Sequence, residues 1–167
     1  LKLGKSPIDL TINAGAYNGT YELGGLSLTN LTVKDGAANV DLSFSEPNLA
    51  EMSVLRYETG ASDVSLAGLA NANFSTLMFN GGAGSYTLDF SGELARDGVV
   101  KIEVGAGDVQ LIVPKDVNAK VTMEGALVSV NHSSGWSVNG SEYTQEGEGP
   151  ELTIIVKMAA GNLTITD

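Results

Sequence analysis

The chain has 167 residues, no cysteine and a formal net charge of −11, with 20 Asp and Glu against 9 Lys and Arg. Because cysteine is absent, disulfides, zinc–thiolate sites and thiol catalysis are excluded. The acidity argues against nucleic acid as a partner and disfavours direct adsorption to an anionic lipid surface. The length suits one domain, so we interpret residues 1–167 as a single domain, and 21 glycines against 4 prolines indicate many tight turns.

A glycine–alanine step recurs along the chain, with an apolar residue three positions before it and apolar residues four and six positions after it. The clearest copies have anchor glycines at Gly36, Gly60, Gly82 and Gly105, at spacings of 24, 22 and 23 residues. Degenerate copies have their anchors at Gly15, Glu124 and Ala159. The copies occupy residues 12–21, 33–42, 57–66, 79–88, 102–111, 121–130 and 156–165. A fixed period of this size indicates a repeat architecture.

Each column of the repeat has a predicted role. The anchor glycine is expected to make a positive-φ bend. The next column contains only small residues and predicts a crowded interior corner, at Ala16, Ala37, Ala61, Ala83, Ala106, Gly125 and Ala160. Short polar residues three positions past the anchor are expected to hold the turn, and the apolar alternation that follows predicts a half-buried strand.

We expect these strands to stack as an all-β, single-domain solenoid that resembles a right-handed parallel β-helix of about seven coils. The linkers repeat as well, because GGLSLTNL at residues 24–31 parallels AGLANANF at residues 67–74, so the unit is a whole coil. Each coil would bury its inner face against its neighbours. A β-sandwich of repeated hairpins is the alternative. Residues 46–56 are the one helix candidate, and Pro47 makes a short turn or bulge an equal alternative.

Residues 131–151 form an insertion between the sixth and seventh copies. Asn139-Gly140 is typical of a two-residue hairpin turn, with Trp136 before it and Tyr143 after it. We expect a β-hairpin that projects from the end of the solenoid or folds over it. Trp136 would then cap an open core, as terminal repeats must.

The serial G-A-x-x-V-x-L copies, a late G-W-x-x-x-G…Y segment and a final glycine-containing strand resemble the bacterial toast-rack domains of unknown function. The matching segments are residues 36–42, 60–66, 82–88, 105–111, 135–143 and 161–165. Those domains are similar to the C-terminal domain of cell-wall-active antibiotics response proteins and to adhesin β-helix domains. The resemblance implies a bacterial, envelope-associated context and supplies no catalytic residues.

The residues predict no cofactor and no metal ligand set. His132 is the one histidine, whereas transition-metal sites usually require several imidazoles or thiolates. Stacked coils would align Asn39, Asp63 and Asp108, so a calcium-binding ladder is an alternative to a polar ladder that holds the turns.

The sequence also predicts no catalytic residues. A G-x-S-x-G elbow is absent, so a serine hydrolase is disfavoured. A polysaccharide-active enzyme would need acidic and basic residues in one groove. The candidates for such a groove are Asp89, Glu93, Arg96, Asp97, Lys101 and Glu103, and their pattern is typical of solvated loops and outer faces.

The preferred interpretation is a non-enzymatic, envelope-associated interaction or scaffold module whose partner is a protein or a cell-wall glycan. The alternative is a carbohydrate-binding or adhesin module in which Trp136 and Tyr143 contact the ligand. A polysaccharide-active enzyme is the least favoured interpretation. Because the sequence begins at Leu1, we interpret it as a mature or excised fragment. The resemblance implies an extracytoplasmic location in the cell envelope, with anchoring by an N-terminal segment absent from this chain and membrane contact only through segments outside it.

Overall fold

Twelve strands in one sheet and a short 3₁₀ helix make up the computed structural model, which describes residues 6–167. The strands are β1 (Ile8–Asn13), β2 (Ala16–Glu22), β3 (Leu28–Lys34), β4 (Ala37–Ser43), β5 (Met52–Ala67), β6 (Phe74–Asp89), β7 (Gly98–Ile112), β8 (Asn118–Glu124), β9 (Leu127–His132), β10 (Ser137–Asn139), β11 (Glu142–Gln145) and β12 (Glu151–Thr166). The 3₁₀ helix is Leu69–Ala72, and residues 46–56 contain the start of β5 rather than a helix. Among residues 6–167, no helix has the length and apolar character that crossing a membrane requires.

Each coil consists of two extended stretches that meet at a corner. We call the stretch before the corner the first limb and the stretch after it the second limb. The first limbs pair in the order β1-β3-β5-β6-β7-β12-β8, and the second limbs in the order β2-β4-β5-β6-β7-β12-β9. All these neighbours are parallel. The predicted all-β solenoid is therefore confirmed, and a sandwich of hairpins is excluded, because hairpins pair antiparallel strands. The handedness and the exact number of coils stay predictions.

The stacking order departs from the chain order at the C-terminal end. Strand β12 lies between β7 on one side and β8 and β9 on the other. Its inward residues Ile154, Val156, Leu163 and Ile165 are fully buried, so this strand needs a neighbouring coil on both sides. Strands β8 and β9 form the coil at the end of the stack. Its second limb, β9, ends at the exposed His132, which pairs with Ile165. The more polar coil, formed by β8 and β9, therefore lies at the end of the stack.

The same pairing corrects the alignment of the sixth copy. Ala160 pairs with Leu127, and Glu124 pairs with Lys157 on the outer side of the first limb. The anchor column therefore passes through Ala126, and the prediction that Glu124 and Gly125 occupy the corner columns was wrong by two residues. The misalignment arose because β9 lacks the glycine that marks the corner in the central coils.

Aliphatic columns run through the core along both limbs. Inward residues of successive first limbs pair in register and are fully buried at Leu31, Leu55, Leu77, Val100, Ile154 and Val121. A second column runs through Leu42, Leu66, Leu88, Leu111 and Ile165. Each such side chain stabilises the fold by about 1.5–3 kcal/mol through burial, so the period-two alternation of the copies accounts for the stack.

The anchor glycines are required by close approach of neighbouring coils rather than by a positive-φ bend. None of Gly36, Gly60, Gly82 and Gly105 has a positive φ, so that prediction was wrong. The Gly36 carbonyl accepts the N–H groups of both Gly60, at 3.1 Å, and Ala61, at 2.9 Å. A Cβ on Gly60 would overlap that carbonyl oxygen, and a Cβ on Gly105 would be 2.7 Å from the Gly82 oxygen.

The crowded column lies two residues after the anchor, not one. The alanines Ala37, Ala61 and Ala106 are exposed on the outer side of the corner, so the predicted interior alanine column was wrong. Gly107 has φ 141°, and a Cβ there would overlap the carbonyl oxygen of Gly84. Gly161 is in the same position against Gly107, with φ 130°. Glycine is therefore required in this column at Gly84, Gly107 and Gly161, whereas Ser62 occupies the same column in the preceding coil.

We expect Gly60→Ala to lower the free energy of unfolding by about 2–4 kcal/mol, because the methyl group would force the corner away from the Gly36 carbonyl. Gly15→Ala is the matched control, since a Cβ added to that anchor glycine has no atom of residues 6–167 within 4 Å. It should change stability by less than about 0.5 kcal/mol. Urea denaturation measures both, and equal losses in the two variants would contradict the close-approach explanation.

Candidate functional site

The two aromatic residues predicted as ligand contacts lie in the hydrophobic core. Trp136 is 7% exposed and Tyr143 is 9% exposed. Tyr143 lies on β11, which pairs antiparallel with β8, and its ring centroid is 5.5 Å from that of His132. The Gln145 side chain donates hydrogen bonds to the carbonyls of Pro114 and Val117, at 2.8 and 2.9 Å. Such buried rings offer little surface to a sugar. The predicted role of Trp136 and Tyr143 as ligand contacts stays a prediction.

The structure separates the residues that could have formed a metal site. Among residues 6–167, no three His, Asp or Glu side chains come close enough to hold an ion. Asn39 pairs with Asp63, but Ser85 separates Asp63 from Asp108 in the same column. The Asn162 amide donates a 2.6 Å hydrogen bond to Asp108, so this column is a polar ladder on the outside of the second limb.

The acidic and basic candidates for glycan chemistry are spread over several parts of the fold, although Lys101 and Glu103 line one groove of about 240 Å³. Lys101 and Glu103 lie on the outer side of the first limb, whereas Asp89 ends a second limb. In the segment between β6 and β7, one of the return segments that link successive coils, Arg96 donates hydrogen bonds to Asn73 Oδ1 and Ser75 Oγ, at 3.0 and 2.9 Å. Asp97 accepts a 2.8 Å hydrogen bond from the Glu151 backbone N–H. These contacts are local, and they join coils rather than surround a substrate.

A polar cluster inside the corner was missed by the sequence analysis. We call it the corner cluster, and it consists of Asp35, Tyr57, Thr59, Ser62 and Tyr86. The Tyr57 hydroxyl donates to Asp35 Oδ2 at 2.7 Å, and the Thr59 hydroxyl donates to Oδ1 of the same carboxylate. Ser62 Oγ accepts the Ala38 backbone N–H at 2.9 Å. The carboxylate thus ties the second coil to the third from inside the solenoid.

Aromatic rings surround the corner cluster. Phe79 stacks on Tyr57 with a centroid distance of 5.5 Å and meets Tyr86 edge-on at 5.0 Å. The Tyr86 hydroxyl lies over Gly81, is buried and has no hydrogen-bond partner among residues 6–167. Burial, together with the Asp35 charge, raises the pKa of Tyr57 and of Tyr86 above the ordinary value of 10.0. Both phenols therefore stay protonated at a pH at which an exposed tyrosine ionises.

The outer faces of the two limbs differ in charge. Among the described residues, the outer side of the first limb carries Lys34, Arg56, Lys101, Lys120 and Lys157 together with Asp9, Glu58, Glu103 and Glu124. Lys34 pairs with Glu58 at 2.7 Å and Lys157 with Glu124 at 3.6 Å, so these charges largely neutralise one another.

The outer side of the second limb, which we call the second-limb face, has only acidic charges. Its carboxylates are Glu22, Asp41, Asp63, Asp89 and Asp108, and the second-limb strands contain no Lys or Arg anywhere in their described length. The Glu22 carboxylate already accepts a 2.7 Å hydrogen bond from the Ser43 hydroxyl, and this bond lowers the pKa of Glu22 to about 2. The other positions are mostly Thr, Ser, Asn and Gln.

A shallow trough of about 410 Å³ crosses the second-limb face. Its side chains come from neighbouring coils in register: Ser85, Thr87, Asp108, Gln110, Asn162 and Thr164. Every one of these groups can form hydrogen bonds, and together they provide both donors and acceptors.

The stacked limbs define the chain as a β-solenoid, and comparison with known proteins adds a family resemblance. Residues 50–112 match the N-terminal domain of toast_rack, DUF2154, which confirms the toast-rack resemblance. A crystal structure described as a "putative cell adhesion protein" from Clostridium sporogenes ATCC 15579 has a TM-score of 0.56 at 16% identity, over 97% of this chain and 92% of that one. At this identity the likeness shows the fold alone. No curated protein matches the chain in sequence.

We expect Tyr57→Phe to lower the free energy of unfolding by about 1–3 kcal/mol, because it removes a hydrogen bond to the half-buried Asp35 carboxylate. Tyr86→Phe is the matched control, since it removes the same atom from a buried hydroxyl that has no partner in the described part of the chain. That variant should be as stable as the original chain or about 1 kcal/mol more stable. Thermal and urea denaturation measure both, and a loss as large in Tyr86→Phe as in Tyr57→Phe would contradict this description of the corner cluster.

Proposed function

We propose that the chain is a non-enzymatic, adhesin-like interaction module of the bacterial cell envelope. The observation that carries the proposal is the register of the outer columns, which repeats polar groups at every coil along a flat limb. Such a repeating surface suits many weak contacts with an extended partner, since linked contacts raise the effective affinity. The toast-rack match and the fold shared with the clostridial protein support an envelope role.

The partner class follows from the charge and shape of the surface. A surface with a net negative charge disfavours nucleic acid and other polyanions. The candidate catalytic side chains lie on different faces and in the return segments, which supports binding rather than turnover. We therefore infer that the partner is a protein or a glycan of the envelope that binds along a limb.

Co-sedimentation tests this function. We expect the purified chain to sediment with cell-wall material from a toast-rack-encoding bacterium and to release no soluble sugar or peptide from it. A protein of equal net charge and unrelated fold is the control for nonspecific retention. If the chain stays in the supernatant with cell walls, membranes and envelope proteins alike, the proposed function is wrong.

The fluorescence of Trp136 tests the hairpin aromatics as the contact site. Because Trp136 is buried, we expect blue-shifted emission that moves to the red only when the chain unfolds in urea. Addition of envelope glycans should leave this emission unchanged while co-sedimentation persists. A glycan-dependent shift that Tyr143→Ala abolishes would instead assign binding to the hairpin.

A further inference from the structure

We propose that the second-limb face binds a linear glycan whose sugars carry free amino groups. The inference rests on the proposed function and names the chemistry of the partner and the limb that it contacts. It also moves the glycan contact from the buried hairpin aromatics to the outer columns of the second limb, which include the polar trough and Asp63 on the adjacent strand β5.

Charge selects among the polymers of an envelope. The second-limb face carries five carboxylates and no cation within its described strands, whereas the first limb neutralises its own charges through ion pairs. An anionic polymer that approached the second-limb face would meet like charge over its whole length. A polymer with ammonium groups would be attracted instead, and it would exchange water for charge-assisted hydrogen bonds.

The side chains of this face favour a glycan over a protein. Protein interfaces depend on a few large anchors, chiefly aromatic residues and arginine, that fill pockets in the partner. The large apolar side chains that are exposed among residues 6–167 are Leu49, Val99, Leu127 and Val138. Only Leu127 belongs to a second limb, and it lies at the corner of the end coil. Short hydroxyls, amides and carboxylates match the hydroxyl groups of sugars.

The coil spacing fits a sugar chain that runs along the solenoid axis. Paired strands lie about 4.7–4.9 Å apart, close to the length of one sugar in an extended glycan. Thr87, Gln110 and Thr164 are equivalent residues in three successive coils of the stack, so one sugar can contact each coil.

The carboxylates suit a β-1,4-linked chain, in which every second sugar turns the same edge toward a surface. Asp63 and Asp108 occupy one column with Ser85 between them, so they are two coils, or about 9–10 Å, apart. Ammonium groups on alternate sugars would therefore meet a carboxylate at each of these positions. Asp108 is bonded to Asn162 but remains exposed, which leaves it acceptor capacity for a ligand.

Titration calorimetry with a β-1,4-linked glucosamine hexamer, in mildly acidic buffer that protonates the amines, tests the inference. Binding to the whole chain should weaken at least tenfold in Asp63→Asn/Asp108→Asn. The matched control, Glu103→Gln/Glu124→Gln, makes the same change in net charge on the first limb and should weaken binding less than twofold. All four residues are exposed, so we expect both variants to fold, which circular dichroism checks.

Two further ligands test whether the second-limb face recognises the amino groups and the sugar backbone. The N-acetylated hexamer should bind at least tenfold more weakly than the glucosamine hexamer, and equal binding would overturn the requirement for amino groups. Hexalysine should bind weakly and lose affinity equally in both double variants. If hexalysine instead matches the glucosamine hexamer in affinity and in its dependence on Asp63 and Asp108, the face recognises basic peptides and the glycan inference is wrong.

The outcomes for the two proposals are distinguishable. If the chain sediments with cell walls but the hexamer fails to bind, the amino-glycan inference fails and the envelope function stands. If the hexamer binds through the second-limb face but nothing in the envelope retains the chain, the site is supported and the proposed function fails.

Discussion

The stack depends on how closely two backbones approach at the corner. The Gly36 carbonyl accepts two N–H groups from the next coil, and the Gly15 carbonyl accepts the N–H groups of Gly36 and Ala37 in the same way, at 3.0 and 3.3 Å. A Cβ on Gly60, Gly82 or Gly105 would overlap the carbonyl oxygen of the preceding coil, so glycine at these corners keeps the neighbouring backbones close along both limbs. The aliphatic columns can then pack at one constant separation.

A fixed spacing also determines what the outer surface can do. Because inward and outward residues alternate along each strand, every inward column of core residues lies next to an outward column that is exposed to solvent. The first limb fills its outer columns with ion pairs, and the second fills them with acids, amides and hydroxyls. The scaffold is therefore common to both limbs, while recognition depends on which residues occupy the outer columns of one of them.

The repeat in the sequence predicted the strands, the inward columns and the solenoid, because period-two alternation and a constant spacing are local signals. It misassigned the exposed alanine column, since small size alone does not distinguish an interior corner from an outer one. The corner cluster was invisible because Asp35, Tyr57 and Tyr86 come from three different coils. A signal was present, however: Asp35 shares a column with Thr59 and Gly81, and Gly81 leaves the space that the Tyr86 hydroxyl occupies. Local patterns also gave no indication that β12 would separate β7 from β8.

The place of β12 in the stack limits how the chain can acquire its structure during synthesis. A serial solenoid can grow coil by coil as it leaves the ribosome, each new turn docking on the last. Here that growth must pause after β7, because β8 and β9 both pair with β12 and neither pairs with β7, while β8 also pairs with the hairpin strand β11. The coil of β8 and β9 can therefore complete its pairing only after β12 has been translated, so residues 118–166 assemble together rather than coil by coil.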